Sequence, residues 1–377
     1  MKFPFQYGKL AEGNSFVNRV NEKHTLKNNL SAGINTMLIS PRRFGKTSLV
    51  KAAMTELEKE GSDIRVCFID SFTIKSEEEF YQTFARELIK TTGNKWETWI
   101  STAKKFLTAF SPKISIGTDP MTDFSVGLEW KNIKENELEL LNLPEKITQA
   151  KKIKIVVCID EFQNLAKLAN YESLEQKMRS VWQHQQNVTY CLYGSKRHMM
   201  MDIFNSSSKP FYRFGQIMFL TKIAENEWVK FIVKSFETTG KRISEMLALK
   251  LVQMVDSHSW YVQQLAHFVW NITENEVSSE ILQQAIEQVI GANLPLYQNE
   301  CDALTASQLN LLVAVANNER YLTAVETLNK YKVGTPQNIS KNKKMLQNRD
   351  VIEKTKDGFN FIDPVFKRWF VREYMKM

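Results

Sequence analysis

Eight consecutive residues, Ser40-Pro41-Arg42-Arg43-Phe44-Gly45-Lys46-Thr47, set a glycine, a lysine and a hydroxyl side by side between an apolar run and a helical pattern. Those three residue types suit a phosphate. A glycine lets the backbone curl closely, so that its N–H groups point inward. A lysine brings charge to the terminal phosphates, and a threonine offers its hydroxyl to a divalent cation such as Mg2+. Pro41, Arg42, Arg43 and Phe44 form the body of such a loop, and Ser48 its exit into the helix. Ser40 departs from the usual pattern, which has glycine there. Taken alone, the stretch also suits a surface turn with an ordinary lysine.

A second cluster narrows the choice. Ile155-Val156-Val157-Cys158-Ile159-Asp160-Glu161 is an apolar strand ending in two carboxylates. Adjacent acids repel, so a buried strand has no structural need of them. A metal site with a water to activate does. Asp160 would hold Mg2+ through its waters, and Glu161 would orient the attacking water or accept its proton. The alternative is a strand that ends in solvated acids. Ser195, closing a further apolar run, either holds the water or caps the helix after it. Arg213, in Pro210-Phe211-Tyr212-Arg213-Phe214, either stabilises transition-state charge or forms a surface ion pair.

These residues need a scaffold that ends several strands at one place. Near-continuous apolar runs at 36–40, 65–70, 154–160, 188–194 and 216–220 suit central parallel strands. The helical patterns between them, such as 47–60, suit right-handed crossovers. The fold class expected is α/β, a three-layer sandwich with a parallel sheet. Segments 113–117 and 124–130, around Thr118-Asp119-Pro120, predict an inserted hairpin that serves as a partner surface or a local ornament.

From 224 to 292 the pattern is wholly helical, and Asn293-Leu294-Pro295 predicts a break. After a capping box at Thr305 and Gln308, helices are predicted at 307–317, 324–331 and 336–347. A hairpin follows through Asp357-Gly358. Three helices and a hairpin outline a winged helix. The domains expected are 1–222, 223–292 and 293–377.

The chain has 377 residues, a net charge of +8 and no apolar stretch long enough to predict a membrane span. Its start does not resemble a signal peptide. Cys67, Cys158, Cys191 and Cys301 form no close pair, which predicts buried free thiols and a cytoplasmic setting. No Cys/His/acid set suggests a metallohydrolase or nuclease, and guanine-reading NKxD and LSGGQ-like signatures are missing.

In order and spacing these motifs resemble the AAA+/STAND-type ATPases called archaeal ATPases. The matches are Phe16-Val17-Asn18-Arg19, 40–49, Val156 to Phe162, Leu192-Tyr193-Gly194-Ser195, Pro210 to Arg213, Trp260 to Ala266 and Asp363 to Trp369. The resemblance implies an ATPase core, a helical lid and a winged helix, with ATP or ADP as ligand. It implies that Phe16, Val17 and Arg19 border the adenine, and that Arg213 sits where a finger or phosphate sensor belongs. It implies too that the turn His258-Ser259-Trp260-Tyr261 of the lid faces the nucleotide. Ser259 stands where proline is common, and no arginine marks a second sensor in the lid.

The function expected is a regulatory switch that hydrolyses ATP and moves its winged helix. A nucleotide-locked scaffold with little turnover is the alternative, and a DNA-dependent motor a third. Lys341, Lys343, Lys344 and Arg349, with Lys354 and Lys356 on the wing, suit duplex DNA, and Asn338, Ser340 and Asn342 suit base edges or phosphates. A protein surface is the competing partner. The oligomeric state is left open.

Overall fold

Nine strands follow in chain order among the described residues: β1 (Thr36–Ile39), β2 (Ile64–Asp70), β3 (Lys113–Ser115), β4 (Ser125–Gly127), β5 (Lys154–Asp160), β6 (Val188–Gly194), β7 (Gln216–Phe219), β8 (Ile352–Thr355) and β9 (Gly358–Phe361). They belong to a computed structural model that describes residues 3–8, 17, 19–61, 63–93, 95–115, 124–355 and 357–375. Two compact units emerge: Arg19–Thr221, and Lys222–Met377 together with Met1–Asn18.

In the first unit, five strands pair in the order β2-β5-β6-β1-β7. Every pairing is parallel, with Ile39 beside Gly194 and Asp70 beside Asp160. This is the expected sandwich. Parallel strands need crossovers, and the helices supply them. The sheet's inner strands read as unbroken apolar runs because both faces are covered: β6 is buried at all seven positions. One face meets Leu49, Val50, Ala53, Met54 and Leu57 of the Lys46–Glu60 helix, and all five are buried. On the other, Trp182 stacks on Tyr190 with ring centroids 4.1 Å apart.

The inserted hairpin is present as the antiparallel pair β3 and β4. Its turn, Thr118-Asp119-Pro120, lies outside the described residues. Its second strand ends sooner than expected, because Trp130 opens a short helix, Trp130–Glu135. Phe124, Val126 and Leu128 are buried in the unit's core, so this strand is tied down by its apolar side.

The second unit is helical up to the small pair β8 and β9. The predicted break at Asn293-Leu294-Pro295 is not found: one helix, Ser279–Asp302, runs through Pro295. A proline inside a helix costs about 3 kcal/mol by removing a hydrogen bond and crowding the carbonyl four residues earlier. Here that carbonyl belongs to Gly291; both residues are exposed, so water reaches the freed group. Val289, Ile290, Asn293, Tyr297 and Cys301 on the other face are buried and hold the helix together. The capping box of Thr305 and Gln308 is formed as expected.

Residues at the amino end were expected with the sandwich. They group instead with the helical unit, because Phe5 and Val17 are buried in its core. All four cysteines are free and buried. Among the described residues, no helix is long and apolar enough to cross a membrane.

Candidate active site

Ile39 is the last residue of β1, and the chain then turns through Ser40–Gly45 into the Lys46–Glu60 helix. Two residues carry the turn in left-handed backbone: Arg43 at φ 67° and Gly45 at φ 84°. A Cβ on Gly45 would meet nothing within 4 Å, so its backbone angle, not space, calls for glycine there. Ser40 is not among the positive-φ residues. A side chain at that first position is therefore unstrained, which accounts for the departure from glycine. Ser40 is fully buried, and its hydroxyl donates to the Pro41 carbonyl at 3.0 Å.

Gly45 caps the helix without a side-chain bond, and no acid sits in the first turn. The first N–H groups of a helix lack partners within it and attract anions. Pro41 is half-buried, Arg42 and Arg43 are exposed, and Phe44 and Ser48 are buried. Arg19, itself buried, donates Nη2–H to the Phe44 carbonyl at 3.0 Å and Nη1–H to Glu22 at 3.0 Å. Arg19 thus braces the loop from behind. Burial lowers its pKa, and the charge of Glu22 works the other way. Val17 lies in the other unit's core, and Phe16 lies outside the described residues.

The closing ends of β5 and β6 supply the acids and the hydroxyl. Lys46 Nζ donates to Asp160 Oδ1 at 2.7 Å and to Glu161 Oε1 at 2.9 Å. Thr47 Oγ1 donates to Asp160 Oδ2 at 2.8 Å. The ammonium also sits 5.1 Å from the centre of the Tyr193 ring. Ser195 Oγ donates to Glu161 Oε2 at 2.8 Å. The helix after it, Arg197–Asn205, starts from Lys196, so Ser195 is not its cap. Burial works to raise the Glu161 pKa, but the charge of Lys46 and hydrogen bonds from Lys46, Gln163 and Ser195 hold it below the usual value.

Lys46, Thr47, Asp160, Glu161 and Ser195 are therefore brought together. Arg213 is not. It precedes β7, whose first residue Gln216 pairs with Thr36, the first of β1. The phosphate loop leaves the opposite end of β1, four residues on at about 3.3 Å each. Arg213 is exposed, with its guanidinium 5.2 Å from the Tyr212 ring centre. Two residues that the motifs did not flag join the site: Tyr193 beneath Lys46, and Gln163 beside Glu161. Gln163 had a signal, its place two residues beyond the acid pair. Tyr193 stands within the match Leu192-Tyr193-Gly194-Ser195, which implies no role for it.

A cluster of this kind, at the closing ends of adjacent parallel strands, is where open α/β sheets bind ligands. The family model for an ATPase domain predominantly from Archaea matches residues 16–265. A winged helix domain model matches residues 295–372. Among solved structures, the chain is similar to the Walker-type ATPase of Pyrococcus abyssi, with a TM-score of 0.68 at 17% identity over 97% of this chain and 99% of that one. It is similar to the Aeropyrum pernix ORC2 protein, solved as ADPNP-ADP complexes, with a TM-score of 0.59 at 14% identity over 99% and 100%. The ORC1 protein of the same organism, solved in complex with DNA, gives 0.50 at 12% identity over 96% and 94%. At these identities the likeness is one of fold. No curated protein matches the chain in sequence. Loop, acid pair, sheet order and family model agree: the chain belongs to the family of ATPase domains found predominantly in Archaea, an ATP-binding hydrolase with a winged helix domain.

Proposed function

We propose that the chain works as a nucleotide-driven switch, hydrolysing ATP at the Ser40–Thr47 loop and passing its nucleotide state to the winged helix. The observation that carries this is Lys46 bonded to both Asp160 and Glu161. In this reading the loop N–H groups and Lys46 bind the β- and γ-phosphates. Glu161 takes the proton of the attacking water on a carboxylate oxygen while the water oxygen bonds to the γ-phosphorus and the bridging oxygen leaves. Ser195 holds Glu161 in place.

Thr47 Oγ1 and Asp160 Oδ2, hard oxygen donors 2.8 Å apart, fit a Mg2+ ion held jointly with phosphates. Among the described residues no cluster of three or more His, Cys, Asp or Glu could hold a metal alone. Bound there, Mg2+ would neutralise charge on the β- and γ-oxygens. From its place across the sheet, Arg213 would serve a phosphate on a neighbouring copy.

Coupling to the winged helix is supported within the second unit. The Ser279–Asp302 helix is continuous from lid to tail. Tyr261 of the lid donates its hydroxyl to Asp363, the cap of the last helix. The tail would therefore move with the lid as one body. For the partner, DNA is favoured by exposed Lys341, Lys344 and Lys354, and by the DNA complex of the ORC1 protein of similar fold. Arg349 is paired with Glu300 at 2.9 Å, and Lys343 lies over the Phe359 ring. Ser340 bonds back to Pro336, and Asn342 bonds Ser307, so of the polar candidates Asn338 is the exposed one without such a bond. Lys356 lies outside the described residues.

The deciding experiment is steady-state ATP hydrolysis by Glu161→Gln. A fall of about 10²-fold or more with nucleotide binding retained is expected; unchanged hydrolysis overturns the role given to Glu161.

A further inference from the structure

The acid pair is followed by a short helix, Phe162–Lys167, and Glu161 starts it in left-handed backbone at φ 49°. That kink returns the side chain two residues on, Gln163, towards β6. Gln163 is fully buried. Its Nε2 donates to Glu161 Oε2 at 2.5 Å, the same oxygen that accepts from Ser195. Only the amide nitrogen can donate to a carboxylate, so the amide orientation is fixed by chemistry. Its carbonyl oxygen Oε1 is then left buried with no hydrogen-bond partner. An orphaned buried carbonyl is unfavourable by about 1–3 kcal/mol. Set against that cost is the bond Gln163 gives to Glu161.

The neighbouring strand makes room for it. Gly194, the last residue of β6, is fully buried within the strand, and its φ is not in the left-handed region. Backbone freedom is therefore not why it is glycine. A Cβ there would collide with Gln163 Oε1, stand 3.0 Å from Gln163 Cδ and 2.8 Å from Met200 Sδ. The glycine is the space the glutamine occupies.

We propose that Gln163 is a positioning residue for Glu161, and that Gly194 acts through it. The two carboxylate oxygens are held differently. Oε1 is held by Lys46, which a phosphate draws away; Oε2 is held by Gln163 and Ser195, which no phosphate competes for. When Lys46 turns to phosphate, Glu161 keeps its orientation and offers Oε1 alone to the water. Without Gln163 a single hydroxyl, on a freely turning bond, is left to hold the carboxylate.

This rests on Glu161 being the base, so the experiment separates the two claims. Steady-state ATP hydrolysis and melting temperature are measured for the full chain and for Glu161→Gln, Gln163→Met, Gly194→Ala, Gln163→Ala and the Gln163→Ala/Gly194→Ala double variant. Methionine keeps the volume and removes the donor. Gln163→Met is expected to lower kcat about tenfold or more with KM unchanged, since a misplaced catalytic group can lose up to ~10²-fold. Gly194→Ala is expected to do the same in the native background and nothing further in the Gln163→Ala background. If Glu161→Gln abolishes turnover while Gln163→Met keeps its kcat, the positioning role is wrong. A Gly194→Ala loss that is just as large without Gln163 also overturns it. Should Gln163→Met melt below the assay temperature, the Gly194→Ala comparison decides alone. Unchanged turnover in Glu161→Gln would instead remove the reading of the base itself, and this inference with it.

Discussion

Arg19 and Phe44 are joined across 25 positions of sequence by one buried hydrogen bond, from guanidinium Nη2 to main-chain carbonyl at 3.0 Å. The bond holds the phosphate loop one residue before Gly45. Arg19 is itself buried at 4% exposure and opens its helix in left-handed backbone at φ 87°.

Arg19→Met should show how much the loop depends on that brace. The apolar stem remains, and the Phe44 carbonyl loses the hydrogen bond from the guanidinium. Stability should fall by about 1–3 kcal/mol in urea unfolding, and ATP binding should weaken. Unfolding and binding both matching the native chain would count against the brace.

Lys46→Ala removes the cation between two carboxylates whose side chains are 17% and 23% exposed. The chain should lose stability, because adjacent acids are left facing each other. It should also lose its response to nucleotide. For the native chain, ATP with Mg2+ at 100 times its dissociation constant should add about 2.7 kcal/mol. An equal thermal shift in both proteins would exclude Lys46 from phosphate binding.

Within the second unit, the Ser259–Ile272 helix and the last helix, Pro364–Tyr374, are tied at Asp363. Its Oδ1 accepts from the Val365 and Phe366 N–H groups at 2.9 and 2.8 Å, while Oδ2 takes the Tyr261 hydroxyl. Asp363→Ala removes a cap, about 0.5–2 kcal/mol, and leaves the Tyr261 hydroxyl with Tyr297 but without its carboxylate acceptor. Asp363→Asn, which still has an acceptor, should lose much less. Equal losses in the two variants, measured by thermal unfolding, would mean the tie is unimportant.

Acid should act through Glu137. Its side chain is 8% exposed and bonds Lys134 at 2.8 Å and Lys177. Burial opposes the charge, but the hydrogen bonds and charges of the two lysines hold its pKa below the ordinary 4.5. The folded state therefore binds this proton less readily than the unfolded chain. The stabilisation is complete above that ordinary value and is lost as pH falls through the lowered one. Glu137→Gln should be less stable at pH 7 and should show a flatter decline between about pH 5 and 3. Parallel pH profiles for the two proteins would exclude this source of acid sensitivity.

How much was legible in the sequence follows from what is local. The strand runs, the crossover helices and the loop are local patterns, since apolar period and glycine placement act within a few residues. So is the acid pair, whose oddity is visible in two letters. From these the parallel sandwich, Lys46, Thr47, Asp160, Glu161 and Ser195 could be read together. The tertiary structure decided what depends on strand order and on neighbours distant in sequence. It put Arg213 at the opening end of β7, because a parallel sheet sends residues before and after a strand to opposite ends. It carried a helix through Pro295, because burial of one face outweighs a local penalty. It gave Arg19 a loop carbonyl and Gly194 a glutamine to make room for. Each of those depends on which atoms meet across the fold, and residue type alone does not encode such meetings.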